Sequence, residues 1–143
     1  MKSIVTLIIG VLLGALSWGM AHALSGKFEP FDSGVGFLIT QVILSSAALL
    51  VGFKKGTMAS VVFVAGGYIG LNAYAYAWGN SEARAWAWLG AVTIIALVVF
   101  PALAGLTGGI ARYALRKFRQ RKEKKQPEIS QGANATHPPP AES

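Results

Sequence analysis

The chain lacks cysteine and is poor in charge. With no cysteine among its 143 residues, it can have no thiolate nucleophile, CxxC redox pair, zinc knuckle or iron–sulfur cluster. Charged residues make up 13% of the sequence, whereas soluble domains carry about 25%. This shortage of charge, beside 53% hydrophobic residues, indicates a membrane protein rather than a soluble domain.

The few charges are confined to short segments between long uncharged runs. Four runs of more than 20 residues contain no Asp, Glu, Lys or Arg: 3–26, 33–53, 56–81 and 85–111. Each run exceeds the roughly 20 residues needed to cross a hydrocarbon core about 30 Å thick. Because backbone polar groups in lipid must be satisfied within the segment, continuous apolar runs cross as helices. The sequence therefore predicts an all-α, polytopic membrane protein.

The connections between the spans are short. We place the spans at about residues 3–24, 34–53, 57–78 and 85–110. Short links make successive helices antiparallel, which predicts an up-down-up-down four-helix transmembrane bundle over residues 1–111. Residues 112–125 are predicted to be a basic juxtamembrane helix extension. Residues 126–143, rich in proline and poor in large apolar side chains, are predicted to be a disordered cytoplasmic tail.

The basic residues predict an orientation. Of the 13 Lys and Arg, all but Lys27 and Arg84 fall on one side of the predicted bundle. These are Lys2, Lys54, Lys55 and the basic residues of 112–125. The positive-inside rule then places both termini in the cytoplasm of a multi-pass protein of a bacterial inner (cytoplasmic) membrane.

The first segment has two interpretations. Residues 1–23 could be a cleaved signal peptide, because Lys2 precedes an apolar stretch that ends in Ala21-His22-Ala23. The apolar stretch 4–19 is longer than the usual core of a signal peptide, which favours an uncleaved span. Cleavage would leave three spans with the N-terminus outside.

Small residues recur at helical spacing and predict where helices pack. Lipid tails are as apolar as leucine, so helices associate through close backbone contact. Glycine pairs four residues apart are Gly10 and Gly14, Gly66 and Gly70, and Gly105 and Gly109. The first helix carries a stripe of Thr6, Gly10, Gly14, Ser17 and Ala21, and the second carries Gln41, Ser45, Ala48 and Gly52. We expect these two stripes to pair as a tight hairpin.

Pro101 interrupts the last span. Proline has no backbone N–H, so one helical hydrogen bond is lost in the middle of this segment. The sequence therefore predicts a kink over residues 97–101, which shapes the helix or serves gating.

The polar residues within the spans are neutral, apart from His22 near one end. Ion-coupled transporters keep a charged residue at membrane depth, and none is found in these runs. At 1.5 Å per residue, Ser17, Gln41, Asn72 and Thr93 share a layer about 10 Å below the predicted outer ends of their helices. This candidate polar layer is either an outward-facing vestibule or an interhelical network in which Gln41 and Asn72 bond to each other.

The basic run is predicted to contact anionic lipid headgroups rather than nucleic acid. Its members are Arg112, Arg116, Lys117, Arg119, Arg121, Lys122, Lys124 and Lys125. His22 has no second ligand at metal-binding spacing. No catalytic set, metal site or cofactor site is predicted.

These observations favour one functional class. We expect a small integral membrane protein, not an enzyme, that acts through protein–protein contact in the bilayer as an accessory, assembly, immunity or exclusion factor. Its partner would be another membrane protein or a second copy of itself. The alternative is a small channel, transporter or holin-like permeabiliser that uses the polar layer.

Overall fold

The computed structural model describes residues 2–79, 81, 84 and 87–134. In these ranges the chain is helical, and four helices are long and apolar enough to cross a membrane. They are α1 (Lys2–Ser25), α2 (Gly34–Lys55), α3 (Thr57–Trp78) and α4 (Ala87–Asn134), with one 3-10 turn at Pro30–Asp32. The predicted all-α class with four candidate spans is confirmed.

The connection between α2 and α3 is a single glycine. Gly56 has a φ of 98°, in the region that residues with a side chain rarely adopt. Its N–H donates to the carbonyl of Gly52 at 2.8 Å, and its own carbonyl accepts from the N–H of Ser60 at 3.2 Å. Gly56 therefore ends one helix and begins the next, which fixes Lys54 and Thr57 at the same end of the bundle.

The α2 helix begins with a side-chain cap. Ser33 has an extended backbone, and its Oγ accepts a hydrogen bond from the N–H of Gly36 at 3.4 Å. Such a cap satisfies one of the free N–H groups of the first turn. The polar loop before it therefore ends where the sequence places the start of the second span.

The chain divides into two compact units, Met1–Arg112 and Tyr113–Ser143. In the second unit, the α4 helix continues to Asn134, so residues 126–134 are helical where the sequence predicts disorder. Extending an existing helix needs no new nucleus, and Gln126, Glu128 and Gln131 have good helix propensity, although Pro127 and Gly132 do not. The rest of the predicted tail, 135–143, lies outside the described residues.

Helices α1 and α3 pack closely through glycines. The residues in contact are Gly10 with Gly66, Gly14 with Gly67, and Ala15 with Gly70. A Cβ atom at Gly10 would lie 3.1 Å from the Cα of Gly66, so no side chain fits between the backbones. Residue numbers rise together along both helices, which shows that α1 and α3 run parallel.

Helices α2 and α4 form a second close pair of the same kind. The Gln41 amide contacts Leu97, and Gly52 contacts Gly105 and Gly109, so residue numbers again rise together. The predicted pairing of the α1 stripe with the α2 stripe is therefore wrong. Helices α1 and α2 are neighbours, but their glycine faces turn toward the parallel helix two positions along the chain. Residue spacing identifies a face for close packing and carries no information about its partner.

We predict that Gly70→Ala destabilises the bundle by about 1–3 kcal/mol. A methyl group there would overlap the carbonyl oxygen of Val11, so a helix must move to admit it. Gly90→Ala is the matched control, since a Cβ at Gly90 meets nothing within 4 Å. The control should be neutral or gain less than about 1 kcal/mol from helix propensity. Reversible unfolding in mixed micelles measures both, and equal losses would contradict the close contact at Gly70.

Candidate functional site

Ser17 and Thr93, two members of the candidate polar layer, both bond within their own helices. Ser17 is fully buried, and its Oγ donates to the carbonyl of Gly14 at 2.8 Å. Thr93 is exposed on the surface of α4, and its Oγ1 donates to the carbonyl of Leu89 at 3.0 Å. One hydroxyl therefore lies inside the bundle and the other on its outer surface.

Asn72, the third member, is half-buried on α3. Its Nδ2 donates to the carbonyl of Tyr68 one turn earlier at 2.8 Å. The hydroxyl of Tyr68 in turn donates to the carbonyl of Ala91 on α4 at 3.0 Å. Tyr68, which the sequence analysis did not single out, thus makes the link between helices that was expected of the amide.

Gln41, the fourth member, joins α2 to α4 through a buried hydrogen bond. Its side chain is 8% exposed, and its Nε2 donates to the carbonyl of Leu97 at 3.1 Å. The bond lies beside the buried cluster of Trp18, Leu44, Leu71, Ile94 and Leu97. Gln41 therefore anchors α4 to the most buried part of the bundle.

The carbonyl that Gln41 binds is the one that Pro101 leaves without a helical donor. In a regular α-helix, the carbonyl of Leu97 would accept from the N–H of residue 101. Proline has no N–H to offer, and Pro101 is buried. The Gln41 amide replaces this missing donor, so two features that the sequence analysis treated separately form one arrangement.

The other end of the same amide has no partner. The Oε1 of Gln41 is buried and is without a hydrogen-bond donor in the part of the chain that the structure describes. A buried acceptor without a partner costs free energy, which offsets part of what the bond to Leu97 contributes.

The four members of the polar layer do not form one network. Among the described hydrogen bonds, each of the four donates to a backbone carbonyl and none bonds to another member. One of the two interpretations of the layer has Gln41 bonded to Asn72; in the structure Gln41 bonds to Leu97 and Asn72 bonds to Tyr68 instead. Only Ser17 and Gln41 are buried, so the layer does not converge on a vestibule.

Two further polar contacts join helices at the end of the bundle that carries Lys54. Ser60 Oγ donates to the carbonyl of Ala48 at 3.1 Å, which links α3 to α2. Lys55 Nζ donates to Thr6 Oγ1 at 3.3 Å, which links α2 to α1. Gly105 of α4 packs directly against the Ser60 hydroxyl, a contact between distant residues that no spacing in the sequence indicates.

His22 belongs to an aromatic cluster at the opposite end. Its ring meets Phe28 edge-on at 5.6 Å between centroids, and its Nδ1 lies 3.1 Å from the carbonyl oxygen of Lys27. Trp18 Nε1 donates to the carbonyl of Phe28 at 2.8 Å. Within the described residues, no three His, Cys, Asp or Glu side chains are grouped to hold a metal ion. The contacts of His22 are those of a residue that fixes the loop after α1.

Helix α4 is the least buried of the four candidate spans. Between residues 88 and 100, only Ile94 and Leu97 are buried. Gly90, Thr93 and Ala96 are exposed there, and they follow one another at a spacing of three. We call these three residues the α4 small-residue surface. Because they lack bulk, another helix backbone could approach this surface closely.

Comparison with known proteins gives no relatives. No protein-family model, curated protein or solved structure matches this chain.

We predict that the cost of removing the Gln41 amide depends on Pro101. Gln41→Leu leaves the Leu97 carbonyl without a donor and should cost about 1 kcal/mol, within the range for interhelical bonds in membranes. In a Pro101→Ala background, the new N–H satisfies Leu97, so the same change should be neutral or stabilising. Unfolding of all four proteins in micelles gives the coupling free energy. Equal costs in both backgrounds would refute the replacement of a donor by Gln41.

Proposed function

We propose that this protein acts through protein–protein contact within the bilayer, as an accessory, assembly, immunity or exclusion factor. The partner is another membrane protein or a second copy of the chain. The observation that carries the proposal is the α4 small-residue surface. Gly90, Thr93 and Ala96 are exposed on α4, and small residues with a hydroxyl are what a second helix needs for close contact in lipid.

The polar groups inside the bundle support the same proposal. Ser17, Gln41 and Asn72 direct their donors to backbone carbonyls of the bundle itself. Close glycine contacts, such as Gly10 with Gly66, leave no room for side chains or solvent between these helices. Because these interior polar groups are bonded within the bundle, we expect a partner protein to bind the outer surface of the helices.

The charge pattern supports a location and an orientation for this activity. We place the protein in a bacterial inner membrane with both termini in the cytoplasm, because 11 of its 13 basic residues lie on the side of Lys54 and the basic run. In this orientation the basic residues of 112–125 contact anionic headgroups, and the α4 small-residue surface faces the outer half of the bilayer.

The proposal predicts position-specific cross-linking from α4. The natural chain has no cysteine, so a Thr93→Cys variant carries a single thiol for a benzophenone label. Irradiation in native membranes should give one discrete protein adduct, of twice the chain mass if the partner is a second copy. The expected adduct follows from the exposed, small-residue surroundings of Thr93.

Leu12→Cys provides the matched control. Leu12 is exposed on α1 among large apolar neighbours, where lipid contact is expected. It should give lipid adducts without the discrete protein adduct. The same products from both positions, or no protein adduct from Thr93→Cys, would contradict contact through α4.

The alternative function, permeation through the polar layer, makes a different prediction. If Gln41 and Asn72 lined a pathway, Gln41→Leu and Asn72→Leu would reduce solute or ion flux in proteoliposomes. We expect no flux above that of empty liposomes for the natural chain or for either variant, since both amides are bonded to backbone carbonyls. Flux that these changes abolish would overturn our proposal in favour of a channel or transporter.

A further inference from the structure

An apolar groove opens on the surface of the bundle between α3 and α4. Its cavity volume is about 120 Å³, and its lining consists of Thr57, Ser60, Val61, Val64, Ala102 and Leu106. Val61 and Leu106 are exposed at its rim, so the groove is open toward the surrounding lipid. The groove is distinct from the α4 small-residue surface, which lies in an earlier part of the same helix.

The lining of the groove fits a hydrocarbon chain. Of its two polar side chains, Ser60 already donates to the carbonyl of Ala48, and Thr57 lies at the end of the groove where α3 begins. From Thr57 to Val64 the groove follows α3 for about 10 Å at 1.5 Å per residue. Its interior therefore offers dispersion contacts and few polar groups, which is what a segment of an acyl chain requires.

A positive charge lies at the end of the groove that Thr57 marks. The Arg112 Nη1 atom is 3.3 Å from the position that a Gly56 Cβ would take, and Gly56 directly precedes Thr57. Arg112 is half-buried. Among the described residues it makes no hydrogen bond or ion pair. A guanidinium in this setting lacks the anion that it binds best, a carboxylate or a phosphate.

The surrounding sequence cannot supply that anion. Lys54 and Lys55 precede Gly56, and the sequence contains no Asp or Glu from residue 33 to 81 or from 85 to 122. The end of the groove therefore has the guanidinium of Arg112 beside it, with two further basic residues just before Gly56 in the chain and no acidic neighbour in these segments. We therefore expect the anionic group that pairs with Arg112 to come from another molecule.

We propose that the groove between α3 and α4 binds one anionic phospholipid, with an acyl chain against Val64 and Ala102 and the headgroup phosphate at Arg112. The two features select the same molecule, because an apolar groove that ends in an unpaired guanidinium matches a hydrocarbon chain that ends in a phosphate. The site is more specific than general attraction of the basic run to headgroups, and it is independent of the α4 small-residue surface.

Native mass spectrometry of the full chain, released from detergent micelles, tests this site. The probes are phosphatidylglycerol and phosphatidylcholine with identical dioleoyl chains, and inorganic phosphate. The first phosphatidylglycerol should bind about fivefold more tightly than phosphatidylcholine, because the choline cation of the latter neutralises its own phosphate and the net negative charge facing one basic residue is lost. Inorganic phosphate should bind far more weakly than either lipid, because it lacks the chain. Equal affinity for the two lipids would overturn the proposal, as would phosphate binding as tight as lipid binding.

Variants separate this site from diffuse attraction by the basic run. Arg112→Gln should lower phosphatidylglycerol affinity about fivefold, to the level of phosphatidylcholine. Arg119→Gln removes the same charge from an exposed position of the run and should change the affinity less than about twofold. Both residues lie outside the charge-free runs, so we expect both variants to fold like the natural chain. Equal effects of the two changes would overturn the proposal.

A substitution within the groove tests the acyl chain. Ala102→Leu fills the groove and should weaken the first binding event of both lipids, whereas Ala65→Leu, at an exposed position of α3, should leave both unchanged. Unaltered lipid binding in a folded Ala102→Leu protein would overturn the placement of the chain. If this variant does not fold, the comparison of Arg112→Gln with Arg119→Gln still decides the proposal.

Discussion

The structure depends on backbone contact between parallel helices. Apolar side chains gain little by meeting one another instead of lipid, so helices in a bilayer are held by dispersion at short distance and by hydrogen bonds. Glycines supply the short distance here. They join α1 to α3 and α2 to α4, while the single-residue turn at Gly56 ties the two pairs together. The bundle is thus built from two parallel pairs rather than from successive hairpins.

Hydrogen bonds complete this arrangement where the backbone is interrupted. Pro101 frees the carbonyl of Leu97, and the amide of Gln41 binds it from the neighbouring parallel helix. The carbonyl oxygen of the same amide stays buried without a donor, so the side chain satisfies one group and leaves another unsatisfied. The bond to the freed carbonyl of Leu97 explains why a polar residue, Gln41, is found beside the most apolar cluster of the protein.

The sequence predicts the helices better than their partners. The charge-free runs place four spans within a few residues of α1, α2, α3 and the start of α4, because the thickness of a membrane sets the length of an apolar helix. Glycine spacing also identifies the packed faces of α1 and α3 correctly. Which helices pair cannot be predicted in the same way. Nothing in the sequence indicates that Gly10 contacts Gly66 rather than Gly52.

The candidate site shows the same limit. Depth along each helix is readable from residue number, so Ser17, Gln41, Asn72 and Thr93 do fall at comparable distances from their helix ends. Rotation about the helix axis is not readable, and it places Thr93 on the outer surface and Gln41 inside. The role of Gln41 could have been predicted only by joining it to Pro101, whose missing N–H is visible in the sequence while the partner that replaces it is not.

Solid-state NMR of the protein in lipid bilayers tests the parallel pairing most directly. With glycine and alanine labelled, the account predicts short-range correlations between the Cα atoms of Gly10 and Gly66, and between those of Gly52 and Gly105. Correlations that instead join Gly10 or Gly14 to Ala48 or Gly52 would show that α1 and α2 form the close pair. That result would contradict the architecture described here.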